Sequence, residues 1–315
     1  MTLPPQIFDR DLLLRHRERA ARSDVIPDFL LERAAEDLSD RLAVTNRSFK
    51  HAINLGAATG HLERTFRKLP NVVSMASSES SEFLAGFARS RGLDEVFVVD
   101  EEYLDFEPES YDLVTSALTL QYVNDLPGTL SQIRRALKPD GLFMGSLVGG
   151  ATLTELRQAT LAAEEELAGG ASPRVAPMAD VRDLGALLQR AGFALPVADS
   201  DVVTATYATA FDLMRELKAM GASNVLIERR RVPMTRRLLT RIAEIYQERF
   251  ATEDGRIAAT FEILTMTGWA PHESQQQPLR PGSARSRLAD ALGTTERATG
   301  DVTGVPNDGD PPDDK

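Results

Sequence analysis

Short apolar runs and stretches of helical periodicity alternate along the first half of the chain. The apolar runs predict five strands, at 51–55, 72–75, 96–99, 111–116 and 142–147. The helical stretches that separate them lie at 60–68, 80–91 and 126–137. Strands that are apolar throughout and alternate with helices are typical of a parallel sheet covered by helices on both faces.

The second half of the chain is richer in helical patterns. Helices are predicted at 152–167, 179–191, 211–220 and 236–250, and two further strands at 193–203 and 259–267. Two helices, predicted at 11–21 and 28–42, precede the first strand. The pattern as a whole predicts an α/β fold with a doubly wound, mostly parallel, seven-stranded sheet.

Three regions differ in composition and pattern. Residues 1–45 are predicted to form a helical segment that caps the fold, and 46–273 the main domain. Helical insertions in that domain are expected near 149–192 and 205–258. Residues 274–315 are poor in apolar side chains and rich in Asp, Gly and Pro, which predicts a mostly disordered tail.

The composition narrows the classes of function. Lys plus Arg number 36 and Asp plus Glu 47, and 36 minus 47 gives a net charge of −11. So acidic a chain is a poor general nucleic-acid binder. The lack of cysteine excludes disulfides and thiol nucleophiles. No apolar run reaches the ~18 residues that a membrane span needs. We therefore expect a cytoplasmic protein without a membrane span.

The segment 53–60, Ile-Asn-Leu-Gly-Ala-Ala-Thr-Gly, lies between a predicted strand and a predicted helix. Small residues at Gly56, Ala58 and Gly60 would let the backbone approach a ligand, and the helix start offers free N–H groups. A dinucleotide loop would carry a third glycine at the position of His61. A tight turn without a ligand would show the same small residues, so the pattern alone leaves both interpretations open.

The loop resembles the acid-x-Gly-x-Gly-x-Gly motif of methyltransferases, which holds the amino-acid part of S-adenosylmethionine. The chain departs from that motif where Asn54 replaces the acid and Ala58 replaces a glycine. Spacing from the motif places Ala76 where the family has an acid that binds the ribose. Glu79 could substitute for it, but its position favours a solvated acid at a helix start.

Further positions follow from the same resemblance. Asp100 and Glu101 follow the third strand, where the family has an acid that accepts the adenine amino group; solvated loop acids are the alternative. Leu118 stands where a residue packs on the adenosine, although ordinary core packing would also explain it. Gln121 is the candidate residue facing the reacting centre, where relatives often carry His. His61 and Glu63 could begin an iron site, but no second histidine is near, and we predict no metal.

Several separated segments resemble the complex I assembly-factor-5 methyltransferase-like proteins and their bacterial relatives. They are LTLQYVNDLP at 118–127, LKPDG at 137–141, GGATLTELR at 149–157, GASP at 170–173 and GWAPHESQ at 268–275. The resemblance implies a class I, Rossmann-like methyltransferase fold whose last strand is antiparallel. It also implies a respiratory-chain subunit as partner in mitochondrial members, where arginine hydroxylation has been attributed to the fold. The carrier-protein methyltransferase of biotin synthesis is a looser resemblance.

Two functions are compatible with these residues. The first is an S-adenosylmethionine-dependent enzyme that acts on a protein or a small acceptor. The second is a methyltransferase fold kept as an assembly chaperone with weakened catalysis, which the substitutions at Asn54, Ala58 and Ala76 suggest. In either case, the segment 149–192, with Arg157 and Arg174, is predicted to form an acceptor or partner surface.

Overall fold

A computed structural model describes residues 5–23, 25–276, 290 and 293–295 of the chain. Met1–Glu273 form one compact unit, and Ser274–Lys315 form a second. Most of the segment predicted to be a disordered tail lies outside the described residues.

Seven strands form one sheet in the described part of the chain, in the order β3-β2-β1-β4-β5-β7-β6. The strands are β1 (Ala52–Leu55), β2 (Met75–Glu79), β3 (Val96–Val98), β4 (Tyr111–Ala117), β5 (Leu137–Val148), β6 (Ala194–Tyr207) and β7 (Ile257–Trp269). The first five are parallel, and β7 runs antiparallel to β5 and β6. The predicted fold class is confirmed.

Six of the nine helices in the described residues begin after a short polar residue whose side chain caps them. They are α1 (Arg10–Ala21), α2 (Phe29–Ala43), α3 (His61–Phe66), α4 (Glu82–Ser90), α5 (Leu126–Ala136), α6 (Thr154–Ala168), α7 (Val181–Arg190), α8 (Ala210–Ala219) and α9 (Arg236–Phe250). The N-caps whose side chains accept a backbone N–H of the first turn are Asp9, Ser81, Asp125, Asp180, Thr209 and Thr235.

Both faces of the sheet are covered. Helices α5 and α7 pack on one face, around fully buried residues such as Val114 and Phe143. Helices α2 and α3 pack on the other face, around Leu38 and Leu113. Helices α6, α8 and α9 cover the β6–β7 end. Because β1 and most of β4 are buried on both sides, they read as apolar runs in the sequence.

The second strand is displaced from its predicted position. The prediction placed it at 72–75, whereas β2 spans Met75–Glu79. Val73 is 66% exposed, while all five residues of β2 are buried. Apolar content was therefore a wrong guide here, because this strand buries two serines and a glutamate.

The fifth strand begins earlier than predicted. Residues 138–141, which precede the predicted strand at 142–147, lie inside β5, where the pairing with β4 shifts register between Tyr111 and Leu113. Asp140 takes a positive φ of 62° at this irregularity. Among the described residues, no helix has the length and apolar content to cross a bilayer.

Candidate functional site

A cavity of about 420 Å³ lies where the parallel strands end. Its lining follows the order of the sheet, from Glu79 on β2 past Gly56 and Leu118, after β1 and β4, to Val148 on β5 and Phe261 on β7. Residues of α1, α2, α6 and α8 complete the wall. Ligands of open α/β sheets bind at this edge, so the cavity is the candidate site.

The loop between β1 and α3 needs its glycines for backbone reasons. Gly56 and Gly60 have φ of 80° and 79°, in the left-handed region. A Cβ added to Gly56 would lie 2.3 Å from Oγ1 of Thr119, which follows β4. Gly56 and Ala58 line the cavity, and Ala58 also takes a positive φ, of 46°. The loop is thus a tight turn and a cavity wall at once.

Asn54 faces away from the main cavity. Its Nδ2 donates to Oε1 of Glu63 at 2.9 Å and to the carbonyl of Gly56 at 3.2 Å, and its Oδ1 accepts from Thr115 at 3.2 Å. Ser77 also donates to Glu63. Burial raises the pKa of Glu63. A buried carboxyl therefore lies beneath the loop, but α3 supplies it and Asn54 only contacts it.

The acid at the end of β2 is Glu79. It is 4% exposed, lines the cavity, and accepts from the backbone N–H of Ala58 at 2.6 Å. Burial raises its pKa to about 7. Ala76 lies in the interior of β2 within the core and is not among the residues lining the cavity. Ala76, expected at the ribose, therefore does not line the cavity, and the acid of β2 that does is Glu79, three residues later at the end of the strand.

The acids after β3 are engaged by α1. Asp100 is half-exposed and accepts from Nη2 of Arg10 at 2.9 Å. Glu101 is 1% exposed and pairs with Arg10 and, at 3.2 Å, with Nη1 of Arg17. Burial opposes ionisation of Glu101, but Arg17 and Arg10 outweigh it and lower its pKa. Neither acid is among the lining residues, whereas Arg17 is.

The residues after β4 lie against the cavity, as expected from the sequence. Leu118 has a φ of 50°, and its N–H donates to Ser146 at 2.9 Å. Gln121 donates from Nε2 to the Leu118 carbonyl at 2.7 Å. Its Oε1 is buried and has no hydrogen-bond partner among the described residues. The carbonyl of Leu118 fixes the amide orientation, because a flipped amide would place two oxygens together.

The residues that line the cavity fall into two groups of different chemistry, which we name the loop end and the methionine end. The loop end consists of Arg17, Gly56, Ala58, Thr59 and Glu79. The methionine end carries apolar side chains from the helices and loops after β5: Leu153, Leu156, Met178, Met214, Met220 and Met234. Methionine is flexible and polarizable, and it adapts to ligands of irregular shape.

The segment expected to form a partner surface supplies part of this wall. Arg174 lines the cavity and donates from Nε at 2.9 Å to Glu164, which is 1% exposed. Arg157 instead donates to the carbonyls of Gly150 and Thr152 at 3.4 and 3.5 Å. Arg174 thus holds the loop before α7 against α6, whereas Arg157 only supports a turn.

His61 and Glu63, considered as an iron pair, have other partners. His61 lies 2.6 Å from Oδ2 of Asp28, and Glu63 binds Asn54. Across residues 5–276 with the gap at 24, and at 290 and 293–295, no three His, Asp or Glu side chains group in a way that could hold a metal.

Sequence reasoning undervalued Glu79 and missed Arg17 and the methionine end. In the parallel pairing of β1 and β2, Leu55, the last residue of β1, lies beside Ser78. Glu79 therefore stands just past the level at which β1 ends, and an alignment of the two strand ends would have pointed to it. Arg17 and the methionines come from segments far away in the sequence. No local signal marks them.

Comparison with known proteins identifies the family. The profile of the "Methyltransferase domain" family matches residues 28–196, more than half of the chain. The chain belongs to this methyltransferase family. It is 37% identical over 286 residues to "Arginine-hydroxylase NDUFAF5, mitochondrial" of Danio rerio, covering 90% of this chain and 89% of the relative. The Homo sapiens protein of that name is 38% identical, covering 88% and 81%.

A second group of relatives is less similar. "Malonyl-[acyl-carrier protein] O-methyltransferase" of Methylovorus sp. (strain MP688) is 30% identical, covering 92% of this chain and 99% of the relative. Among solved structures, the YcgJ protein of Bacillus subtilis superposes with a TM-score of 0.53 at 14% identity. That match covers 75% of this chain and 99% of the other. At such identity the likeness supports the fold and nothing further.

Proposed function

We propose that the protein binds S-adenosylmethionine at the loop end of the cavity and modifies an acceptor, on a protein or a small molecule, that reaches the methionine end. The position of Glu79 carries this proposal. A buried carboxyl at the end of β2, beside a glycine loop, is suited to accept two ribose hydroxyls.

The residues present fit the cofactor unevenly. Gly56 and Ala58 would face its amino-acid part, Glu79 its ribose and Leu118 its adenosine. Asn54 stays a prediction as a cofactor residue, but its hydrogen bonds all point beneath the loop. Ala76 has no part in the proposed cofactor site, because it does not line the cavity.

The other predicted positions fit less directly. Gly60 shapes the turn at the start of α3, where an added Cβ would lie 2.5 Å from Leu93. Asp100 and Glu101 would meet the adenine only if their pairs with Arg10 rearranged. The ribose side of the site is therefore better supported than the adenine side.

The cofactor supplies a methyl group on a positively charged sulfur. The chain's own contribution would be to bind, orient and shield the reactants, which can account for much of the acceleration of such a transfer. Gln121 has a neutral amide that does not titrate, so we propose that it positions the acceptor and does not take up a proton. The methionine end would exclude water from the reacting groups.

Calorimetric titration with S-adenosylmethionine tests the proposal. We expect Glu79→Gln to weaken binding by about tenfold to a hundredfold, since a hydrogen bond to a charged group contributes about 1.5–3 kcal/mol. Glu216→Gln is the matched control, because Glu216 accepts from the Tyr207 hydroxyl and is not among the lining residues. Absence of heat and of a thermal shift for the unmodified protein at millimolar cofactor would refute the proposal.

The second candidate is a binding protein that retains the fold for assembly. The ion pairs of Arg10 and Arg17 favour it, since they engage the acids that would otherwise be available to adenine. It predicts weak cofactor binding that improves when Arg10→Met removes the ion pair of Asp100 and leaves Glu101 paired with Arg17 alone. An unchanged affinity in that variant would argue against this candidate.

The relatives' names suggest acceptors. An arginine-hydroxylase acts on an arginine, and the malonyl enzyme on an acyl-carrier protein; the higher identity to the first group supports a protein acceptor. A respiratory-chain subunit is the partner expected from the resemblance. The cytoplasmic location stays a prediction, and the first group is named mitochondrial.

A further inference from the structure

The cavity is lined by a second acid besides Glu79. Among the described residues that line it, two carry a carboxylate, Asp28 and Glu79. Glu79 lies at the end of β2, where the proposed function places the ribose. Asp28 precedes α2, and its side chain is 32% exposed. The second acid therefore comes from a segment that precedes the whole sheet in the sequence.

Both acids contact the end of the glycine loop. Glu79 accepts from the backbone N–H of Ala58 at 2.6 Å. Oδ2 of Asp28 lies 2.6 Å from Nε2 of His61, the first residue of α3. Ala58 and His61 are three residues apart, at most about 11 Å along an extended chain. The two carboxylates therefore contact the two ends of one short segment, 58–61, within reach of a single cofactor molecule.

The carboxylate of Asp28 does not cap its helix. Asp28 is the N-cap of α2, but its side chain accepts no N–H of the first turn. The N-caps Asp9, Asp125 and Asp180 of other helices each accept one. Oδ1 of Asp28 has no hydrogen bond or ion pair within the described part of the chain. His61 thus holds one oxygen, and the other is available to a ligand.

His61 fixes the direction of the Asp28 carboxylate. Because an ionised carboxylate only accepts hydrogen bonds, Nε2 of His61 is the donor of this contact. A side chain that is held by a supporting hydrogen bond presents its remaining polar atom to a ligand in a defined geometry. His61 is therefore a positioning residue for Asp28.

The position that the methyltransferase motif uses for the cofactor's ammonium group does not serve it here. Asn54 has no charge, and its amide donates to Glu63 at 2.9 Å and to the carbonyl of Gly56 at 3.2 Å. Glu63 is 1% exposed. Neither Asn54 nor Glu63 lines the cavity. An ammonium group bound beside the loop therefore needs an acid from another segment.

The loop also contains a buried hydroxyl without a partner. Thr59 lines the cavity and is 3% exposed. Its Oγ1 has no hydrogen-bond partner among the described residues. Buried polar atoms are nearly always hydrogen-bonded, so this atom points to a group that the chain itself does not supply. A hydroxyl donates readily to a carboxylate, such as the one in the amino-acid part of the cofactor.

We propose that Asp28 binds the ammonium group of S-adenosylmethionine, that Thr59 donates to its carboxylate, and that His61 positions Asp28. This inference rests on the proposed function, and it assigns the charged end of the cofactor. The acid that the family motif takes from the end of β1 comes in this chain from the start of α2. An ammonium group and a carboxylate form a charge-assisted hydrogen bond, which is among the stronger polar contacts.

Calorimetry with two related ligands tests the assignment. S-adenosylhomocysteine has the amino-acid part and an uncharged sulfur, whereas 5′-methylthioadenosine has the same adenosine and sulfur without the amino-acid part. We expect Asp28→Asn to weaken binding of S-adenosylhomocysteine by about tenfold to a hundredfold, as for other hydrogen bonds to charged groups, and to leave 5′-methylthioadenosine within about twofold. Asparagine is also a good N-cap, so the start of α2 should still fold.

Three other variants separate the contacts. Thr59→Val keeps the shape of the side chain and should weaken S-adenosylhomocysteine alone, by about threefold to tenfold. Glu79→Gln should weaken both ligands, because both carry the ribose. Asp180→Asn is the matched control, since it makes the same change at the N-cap of α7, and Asp180 is not among the lining residues. Neither affinity should change in the control.

The positioning role of His61 has its own test. His61→Ala should weaken S-adenosylhomocysteine by about threefold to tenfold with less effect on 5′-methylthioadenosine, because only the direction of the Asp28 carboxylate is lost. His61→Gln should restore most of the affinity, since its amide N–H can replace Nε2 as donor.

Two results would overturn the inference and leave the proposed function in place. Equal weakening of both ligands by Asp28→Asn would show that Asp28 acts through the loop as a whole. An unchanged affinity for S-adenosylhomocysteine in that variant would show that the ammonium group lies elsewhere. Failure of the unmodified protein to bind S-adenosylmethionine and both related ligands would instead remove the proposed function, and this inference with it.

Discussion

The loop end and the methionine end line the same cavity, but their side chains differ in chemistry. At the loop end, the buried Glu79 accepts from the N–H of Ala58 at 2.6 Å. Beneath the loop, Asn54 donates to Glu63 at 2.9 Å and to the carbonyl of Gly56 at 3.2 Å. At the methionine end, flexible apolar side chains such as Met214 and Met220 form the wall. The first arrangement fixes one ligand geometry, and the second accepts a range of shapes.

Because of this difference, we expect the two ends to contribute to the recognition of different ligands. A polar network loses much of its stabilisation when one partner changes, whereas a methionine wall repacks around a substitution. Substitutions at the loop end should therefore act strongly on the cofactor and on pH dependence. Substitutions at the methionine end should act on stability and on the acceptor.

The largest effect is expected for Asn54→Asp. The new carboxylate would lie where Asn54 now donates to Glu63 at 2.9 Å, so two buried carboxylates would repel each other. We expect a loss of about 3–5 kcal/mol in the free energy of unfolding at pH 8, in the range for an uncompensated buried charge. The loss should shrink at pH 5, where the pair holds a proton. Urea unfolding at both pH values measures it.

The double variant Asn54→Asp with Glu63→Gln is the control, because a neutral amide removes the repulsion. We expect it to recover most of the lost stability at pH 8. Equal stability of the single and double variants would show that the two side chains do not interact.

The next effect concerns pH and Glu79. Its folded pKa of about 7 lies above the ordinary 4.5, so the folded state binds more protons than the unfolded state between these values. Stability from this group is full below pH 4.5 and is lost as pH rises through 7. The loss is at most about 3 kcal/mol. Urea unfolding of the unmodified protein and Glu79→Gln from pH 4.5 to 8 measures it.

The variant should lose less stability over this range, since its amide does not titrate. Glu63 remains in both proteins and cancels in the comparison. Cofactor affinity should change in the opposite direction, rising towards pH 8 as Glu79 ionises. If the free energy of unfolding changed equally with pH in the two proteins, Glu79 would be ionised in the folded state across the whole range from pH 4.5 to 8.

The smallest effect is expected at the methionine end. Leu156 is 8% exposed and lines the cavity, so Leu156→Ala should cost about 2 kcal/mol, at the low end for such truncations, because the cavity already borders it. Chemical denaturation measures this, and calorimetry should show cofactor affinity within about twofold. A tenfold loss of cofactor affinity would erase the distinction between the two ends.

The fold was largely predictable because its strands and helices carry local patterns. The apolar strands β1 and β4 and the periodic helices α5 and α9 lie within a few residues of their predicted positions. The position of β2 was not predictable in this way, because its residues Ser77, Ser78 and Glu79 are polar although they are buried. Their burial depends on neighbouring strands, which local composition does not encode.

The site was predictable only on one side. The glycine loop has a sequence motif, and Leu118 and Gln121 follow a recognisable strand. The pairing of Arg17 with Glu101 joins residues that only the folded chain brings together. The methionine end gathers side chains from α6, from α8 and from loops between β5 and α9. Such contacts leave no spacing in the sequence to detect.

The link between the N-terminal segment and the loop after α8 has a consequence for biosynthesis. Asp9 and Arg229 are 220 positions apart, and Phe8 forms its β-bridge with Leu226. A ribosome emits about 5–20 residues per second, so α1 waits ten seconds or more for its partner segment. Until then one wall of the cavity is missing. A nascent chain that holds only its first five strands would lack the methionine end, whose residues all follow β5, and it would be unable to retain a ligand.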